Sequence, residues 1–228
     1  MRLFVLKHVP NEGLGAWEPL VREHGIDVRE VEVDAGETLP ALEDVEAIVS
    51  LGGPMSADDD HEGLAAERRL LAEATRGGVP VLGVCLGAQL IAHALGGEIF
   101  PNPAGREIGA SQVELTAEGR ADPLFAGLPD PLPVMQWHGD AFGLPRSALL
   151  LASAPACENQ AFRVGRRAYG VLFHPEVLAA QAEDWLGRAE YREYAAGAGR
   201  DPDDVLAGAR RLPDAGARLF ENWLALAE

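Results

Sequence analysis

The stretch Val79-Pro80-Val81-Leu82-Gly83-Val84-Cys85-Leu86-Gly87-Ala88-Gln89 decides the fold. Its first half is a short, unbroken apolar run of the kind that fills a central strand buried on both faces. Residues 86–95 turn helical in pattern, and Gly96-Gly97 stops them. Cys85 therefore falls at the junction of a strand and a helix. Gly83-Val84-Cys85-Leu86-Gly87 has the G-x-nucleophile-x-G form of a nucleophile elbow, a tight turn that forces its central residue into strained backbone angles. Glycines on either side give the crowded turn room. Such an elbow exposes the thiol above the sheet and sets it at a helix N-terminus, whose dipole favours the thiolate. The N–H of Leu86 is then available to an oxyanion. A buried structural cysteine in a tight turn is the competing reading.

Upstream of the elbow, residues 3–6, 27–33 and 47–51 read as strands, and 17–24 and 62–76 as helices. Strands alternating with helices imply a parallel sheet. Downstream, residues 111–115, 134–137, 148–152, 160–164 and 168–173 are short runs between turn residues and read as strands, mostly antiparallel. From residue 178 the pattern is helical again, broken at 197–202 and at Pro213. The apolar stripe Leu219, Phe220, Trp223, Leu224 and Leu226 is expected to pack this tail onto the rest. The expected fold is α/β: a flavodoxin-like open, mostly parallel twisted sheet flanked by helices, with an additional antiparallel portion. A single domain over 1–228 is expected, with a C-terminal helical tail at about 186–228.

Composition narrows the function. A formal net charge of -17 argues against nucleic acid or anionic lipid as a partner, since both attract cationic surfaces. The apolar runs 79–84 and 148–152 are too short to cross a bilayer, so no membrane association and a cytoplasmic location are expected. The two cysteines lack the spacing of a zinc site or a disulfide framework. Cys157, in a small-residue loop, reads as an inert buried hydrophobe. The run Asp58-Asp59-Asp60-His61 reads as solvated or helix-capping, so neither a metal nor a cofactor is expected. His93 reads as structural, and His8, ending the first strand, is a candidate wall of the site.

Three further segments bear on Cys85. His174-Pro175-Glu176 follows an apolar strand that would carry the imidazole to the carboxyl edge of the sheet, where the elbow emerges. A cysteine nucleophile needs such a base, and Glu176 could accept the other ring N–H and so fix its tautomer. Leu51-Gly52-Gly53-Pro54 ends a strand with two glycines, whose backbone can approach a ligand and offer a second N–H to an oxyanion. Gln136-Trp137-His138-Gly139-Asp140 gathers polar and aromatic side chains at another strand end, as a substrate rim would. His138 serves equally well as a structural histidine.

Taken together, Leu51 to Pro54, Gly83 to Gln89, Trp137 to Asp140 and Phe173 to Glu176 resemble, in order and spacing, the class I (triad) glutamine amidotransferases. The likeness is greatest to stand-alone members related to the glutaminase domain of GMP synthase. It implies that Cys85 attacks the glutamine carboxamide, that His174 shuttles the proton to departing ammonia, and that Glu176 orients His174. It further implies Gly53 and Leu86 as oxyanion donors. Gly52, Gln89, Trp137, His138, Gly139 and Asp140 would then hold glutamine or a γ-glutamyl compound. The sequence ends at Glu228 without a Ser-Gly-Gly-x-Asp-Ser-type phosphate loop, so either a separate synthase takes the ammonia or the protein is a free hydrolase of γ-glutamyl amides or peptides. The alternative enzyme is a γ-glutamyl peptidase or hydrolase with the same triad. A non-catalytic binding or redox-sensing module is the remaining reading.

Overall fold

The computed structural model describes every residue except Asn11 and Glu228. Strands and helices alternate through the first half: β1 (Arg2–Lys7), α1 (Glu18–Glu23), β2 (Asp27–Glu32), β3 (Ala47–Ser50), α2 (Glu62–Gly77), β4 (Val81–Val84) and α3 (Leu86–Ala94). The middle is mostly strand: β5 (Ile99–Pro101), β6 (Glu107–Leu115), the short α4 (Ala117–Ala121), β7 (Leu132–His138), β8 (Asp140–Phe142), β9 (Ala148–Ala154), β10 (Cys157–Val164) and β11 (Ala168–Val171). Four helices complete the chain: α5 (Ala179–Leu186), α6 (Ala189–Gly197), α7 (Pro202–Ala209) and α8 (Ala215–Ala227).

One nine-stranded sheet runs in the order β2-β1-β3-β4-β11-β10-β9-β6-β7. Its first five strands are mutually parallel, and the remaining pairings are antiparallel. Strands β5 and β8 form a separate antiparallel pair. The sequence grouped 168–173 with strands read as mostly antiparallel; β11 is instead the seam, antiparallel to β10 but parallel to β4. All four of its residues are buried, as in β3 and β4. That is the burial expected of a strand covered on both faces. Because β1, β3, β4 and β11 share a direction, the segments that follow them emerge at one edge.

Alternation along the strands sends side chains to two helical layers. Val81 and Ile48 meet Leu64, Leu70 and Leu71 of α2 and Leu90 and Ile91 of α3. Leu82, Val84 and Val49 meet Leu20 and Val21 of α1 and Leu219, Phe220, Trp223 and Leu224 of α8. The C-terminal stripe thus packs as expected, with Trp17 and Phe220 stacked at 4.6 Å and 6°. Full burial of a side chain such as Phe220 contributes roughly 1.5–3 kcal/mol. A third cluster joins Ala182, Leu186, Ala195, Val205 and Ala209 of α5, α6 and α7 to Ile108 and Met135 of the antiparallel strands. The breaks foreseen at 197–202 and Pro213 occur, while the stop between α5 and α6 at Gly187-Arg188 was not signalled. Among the described residues no helix is long and apolar enough to cross a membrane.

Candidate active site

Cys85 links β4 to α3 with φ 50° and ψ -106°, the one non-glycine residue at positive φ among those described. A backbone so placed is strained, of order 1–3 kcal/mol, and persists only where its surroundings over-determine it. The two elbow glycines do so. A Cβ on Gly87 would lie 2.1 Å from the carbonyl oxygen of Ser50, and one on Gly83 would lie 2.6 Å from the backbone of Gly87. The Cys85 N–H donates to the Val171 carbonyl at 2.9 Å, and the Gly87 N–H to that of Leu51 at 3.1 Å. Sγ lies 3.7 Å from the Trp137 carbonyl.

The segment after β11 brings His174 to the same edge, and its N–H donates to the Met135 carbonyl of β7 at 2.8 Å. Nδ1 lies 2.7 Å from Oε1 of Glu176, and both side chains are buried. With the carboxylate accepting, Nδ1 carries the proton and Nε2 is the basic nitrogen. Nε2 itself is buried and, among the described residues, meets no partner at ordinary hydrogen-bond geometry, the Cys85 thiol being the group that acts on the ring besides Glu176. Burial alone would lower the imidazole pKa, but the Glu176 charge, the Cys85 charge and the side-chain interactions with Cys85 and Glu176 outweigh it and hold it well above the ordinary value. Gly52 lies between base and thiol: its Cβ would stand 2.9 Å from Cε1 of His174 and 3.6 Å from Cβ of Cys85. Gly53 abuts Leu86 in the same way, a Cβ there coming within 2.9 Å of the leucine side chain. Leu86 opens α3, where the first N–H groups have no intrahelical acceptor. The triad candidates and both glycine segments are therefore together.

A cavity of about 450 Å³ opens above Cys85 and His174. Gly53, Gln89 and Trp137 to Asp140 line it, whereas Gly52, Leu86 and Glu176 stand behind its wall. Gln89 donates through Nε2 to the Asp140 carbonyl at 3.1 Å, and Oδ2 of Asp140 accepts from Ser56 at 2.6 Å. His138 is held from both sides, Nδ1 3.0 Å from the Asp140 carbonyl and Nε2 3.0 Å from Glu107, so its ring positions the rim.

His8 does not line the cavity. It is buried beneath Gly52-Gly53, Nδ1 3.1 Å from the Gly52 carbonyl and Nε2 2.7 Å from Glu67, whose other oxygen accepts from Ser50 at 2.7 Å. Cys157 is buried, and burial first, with the Glu107 charge, pushes its thiol up to about 11. His61 caps α2, accepting from the Leu64 N–H. No acidic or histidine cluster among the described residues could hold a metal ion. His93 is half-buried on α3, away from the cavity.

Sequence reading missed several cavity residues, Glu12, Trp185, Tyr191 and Tyr194 among them. Glu12 follows the carboxyl end of β1, the edge where ligands of open α/β sheets bind, and that placement could have flagged it. The aromatic residues come from the tail, and nothing in its helical pattern marks a return to the site.

A family model described as glutamine amidotransferase class-I matches residues 19–189. The chain is 32% identical over 196 residues to a glutamine amidotransferase-like protein, YfeJ, of Salmonella typhimurium, covering 83% of this chain and 82% of that one. It is 36% identical over 158 residues to a subunit of the glutamine-hydrolyzing GMP synthase of Methanoregula boonei, covering 66% and 79%. Against the longer GMP synthase of Syntrophomonas wolfei, 43% identity extends over 44% of this chain and 19% of that protein. The crystal structure of a glutamine amidotransferase from Thermotoga maritima superposes with a TM-score of 0.90 at 33% identity, over 100% of this chain and 98% of that one. The C-terminal helices are therefore shared with that structure.

Proposed function

The chain belongs to the class I glutamine amidotransferase family, and from that premise we propose that it hydrolyses the γ-carboxamide of glutamine through a thioester on Cys85. The single observation that carries the reading is the buried 2.7 Å pair of His174 and Glu176, which leaves Nε2 of that ring for the elbow cysteine beside it. In the first half-reaction Nε2 takes the thiol proton and Sγ attacks the carboxamide carbon. The oxyanion that forms is held by the N–H groups of Gly53 and Leu86. His174 then returns the proton to the departing nitrogen, the C–N bond breaks, and ammonia leaves a γ-glutamyl thioester. In the second half-reaction His174 takes a proton from water, the hydroxide attacks the thioester, and glutamate and the thiol are released. Gln89 and the Trp137–Asp140 rim hold the amino-acid end.

We further propose that the ammonia passes to a separate synthase and that the reaction occurs in the cytoplasm. A γ-glutamyl peptidase or hydrolase is the second reading, favoured by one observation: about 450 Å³ is the volume of a site for a drug-sized ligand. Incubating the purified chain with glutamine and with γ-glutamyl dipeptides decides between them. Ammonia and glutamate from glutamine support the amidotransferase reading, whereas turnover of the dipeptides alone overturns it in favour of the peptidase.

A further inference from the structure

The cavity beside Cys85 is acidic and aromatic at once. Glu12, 8% exposed, lines it, and its Oε1 accepts a 2.7 Å hydrogen bond from Tyr191. Its Oε2 converges with the imidazole on one glycine: a Cβ on Gly52 would lie 3.5 Å from Oε2 and 2.9 Å from Cε1 of His174. Asp140 and the exposed Glu190 line the same cavity, and no lysine or arginine is among its described lining residues. Arg106, 4.0 Å from the Tyr194 ring centroid, is not part of that lining. The rings of Trp185 and Tyr191 stack at 5.6 Å and make an aromatic wall on the side of the cavity that carries Glu12.

Glu12 has no part in the acyl-transfer steps, yet a buried carboxylate is costly unless a cation or sufficient hydrogen bonds compensate it. Burial is the main cause holding its carboxyl above the ordinary range, against the Tyr191 hydrogen bond and the His174 charge. A cationic ligand would relieve that cost. Its location indicates which part of a ligand: the imidazole delivers its proton to the departing nitrogen, so a carboxylate beside the imidazole faces the leaving group. Aromatic faces attract an ammonium for the same electrostatic reason.

Building on the acyl-transfer reading, we propose that the leaving side of the site also recognises a cationic group on the amine being released, so that γ-glutamyl amides of diamines are substrates besides glutamine. The amide C–N bond breaks as Cys85 takes the acyl group, the proton from His174 goes to the departing nitrogen, and the diamine leaves with its far ammonium against Glu12 and the aromatic wall. Water then cleaves the thioester and releases glutamate.

The test compares kcat/KM of the full chain for the mono-γ-glutamyl conjugate of 1,4-diaminobutane, for γ-glutamyl butylamide, which has the same length without the far charge, and for glutamine. At least a tenfold preference for the diamine conjugate over the butylamide is expected. Glu12→Gln reduces that ratio at least fivefold, and Glu190→Gln, at an exposed position that does not disturb buried packing, reduces it in the same direction. Equal kcat/KM for the two amides overturns this inference alone. So does an equal loss on all three substrates in Glu12→Gln, which would assign the carboxylate to the shared γ-glutamyl half. Absence of turnover with every substrate removes the acyl-transfer reading and this inference with it.

Discussion

Nδ1 of His174 lies 2.7 Å from Oε1 of Glu176, two residues on in a segment that packs beneath α8. A Cβ on Gly216 would come within 1.6 Å of the Pro175 carbonyl, so the helix rests directly on the residue between base and carboxylate. Trp17 adds a 3.0 Å hydrogen bond to the Gly216 carbonyl. The C-terminal helix therefore belongs to the support of the site.

Glu176→Gln keeps a side chain of the same size but no longer enforces the tautomer that leaves Nε2 basic. The expected loss in kcat is on the order of 10²–10⁴-fold, the scale seen when the orienting carboxylate of a triad is replaced by an amide. Steady-state kinetics on whichever γ-glutamyl substrate the enzyme turns over will check it, with circular dichroism to confirm folding. A variant within threefold of the parent would remove Glu176 from the assigned role.

The His8–Glu67 pair makes stability depend on pH. Burial lowers the His8 pKa, but the Glu67 charge and hydrogen bond outweigh it, so the folded value lies above the 6.5 of a free imidazole. A group with a raised folded pKa binds its proton more tightly when folded. Its contribution is present in full below about pH 6.5 and is lost as pH rises through the folded value. Denaturant unfolding between pH 6 and 9 should show the parent losing stability across that window. The profile of Glu67→Gln should be flatter, and parallel profiles would contradict the assignment.

Two glycine substitutions should separate steric from conformational effects. Gly87→Ala drives a methyl against the Ser50 carbonyl, a contact no side-chain rotation relieves, so β3 or α3 must move. Its melting temperature should fall by well over 5 °C, with loss of Cys85 reactivity. Gly77→Ala, at the end of α2 with nothing within 4 Å of the added atom, should change stability by less than about 1 kcal/mol, in the stabilising direction. Similar destabilisation by both would show that elbow packing is not what constrains Gly87.

How far the sequence revealed this arrangement follows from where each signal lies. The elbow, the glycine pair and His174-Pro175-Glu176 each sit at the end of an apolar strand, so local pattern placed them at one sheet edge. The direction of β11 was less legible, since four buried residues carry no mark distinguishing parallel from antiparallel neighbours. Glu12 and the aromatic wall were invisible for a different reason. Glu12 lies in a loop after β1, while Trp185, Tyr191 and Tyr194 return to the cavity only because α5, α6 and α7 pack on Ile108 and Met135, a long-range contact no local period encodes.

The central claim is that Cys85 is the nucleophile, and covalent capture tests it most directly. The parent, Cys85→Ala and Cys157→Ala are each incubated with a glutamine analogue bearing a diazoketone in place of the carboxamide, and intact mass and peptide mapping are measured. One adduct on Cys85 in the parent and in Cys157→Ala, with none in Cys85→Ala, is the result predicted. Equal labelling of Cys85→Ala and the parent would contradict the account.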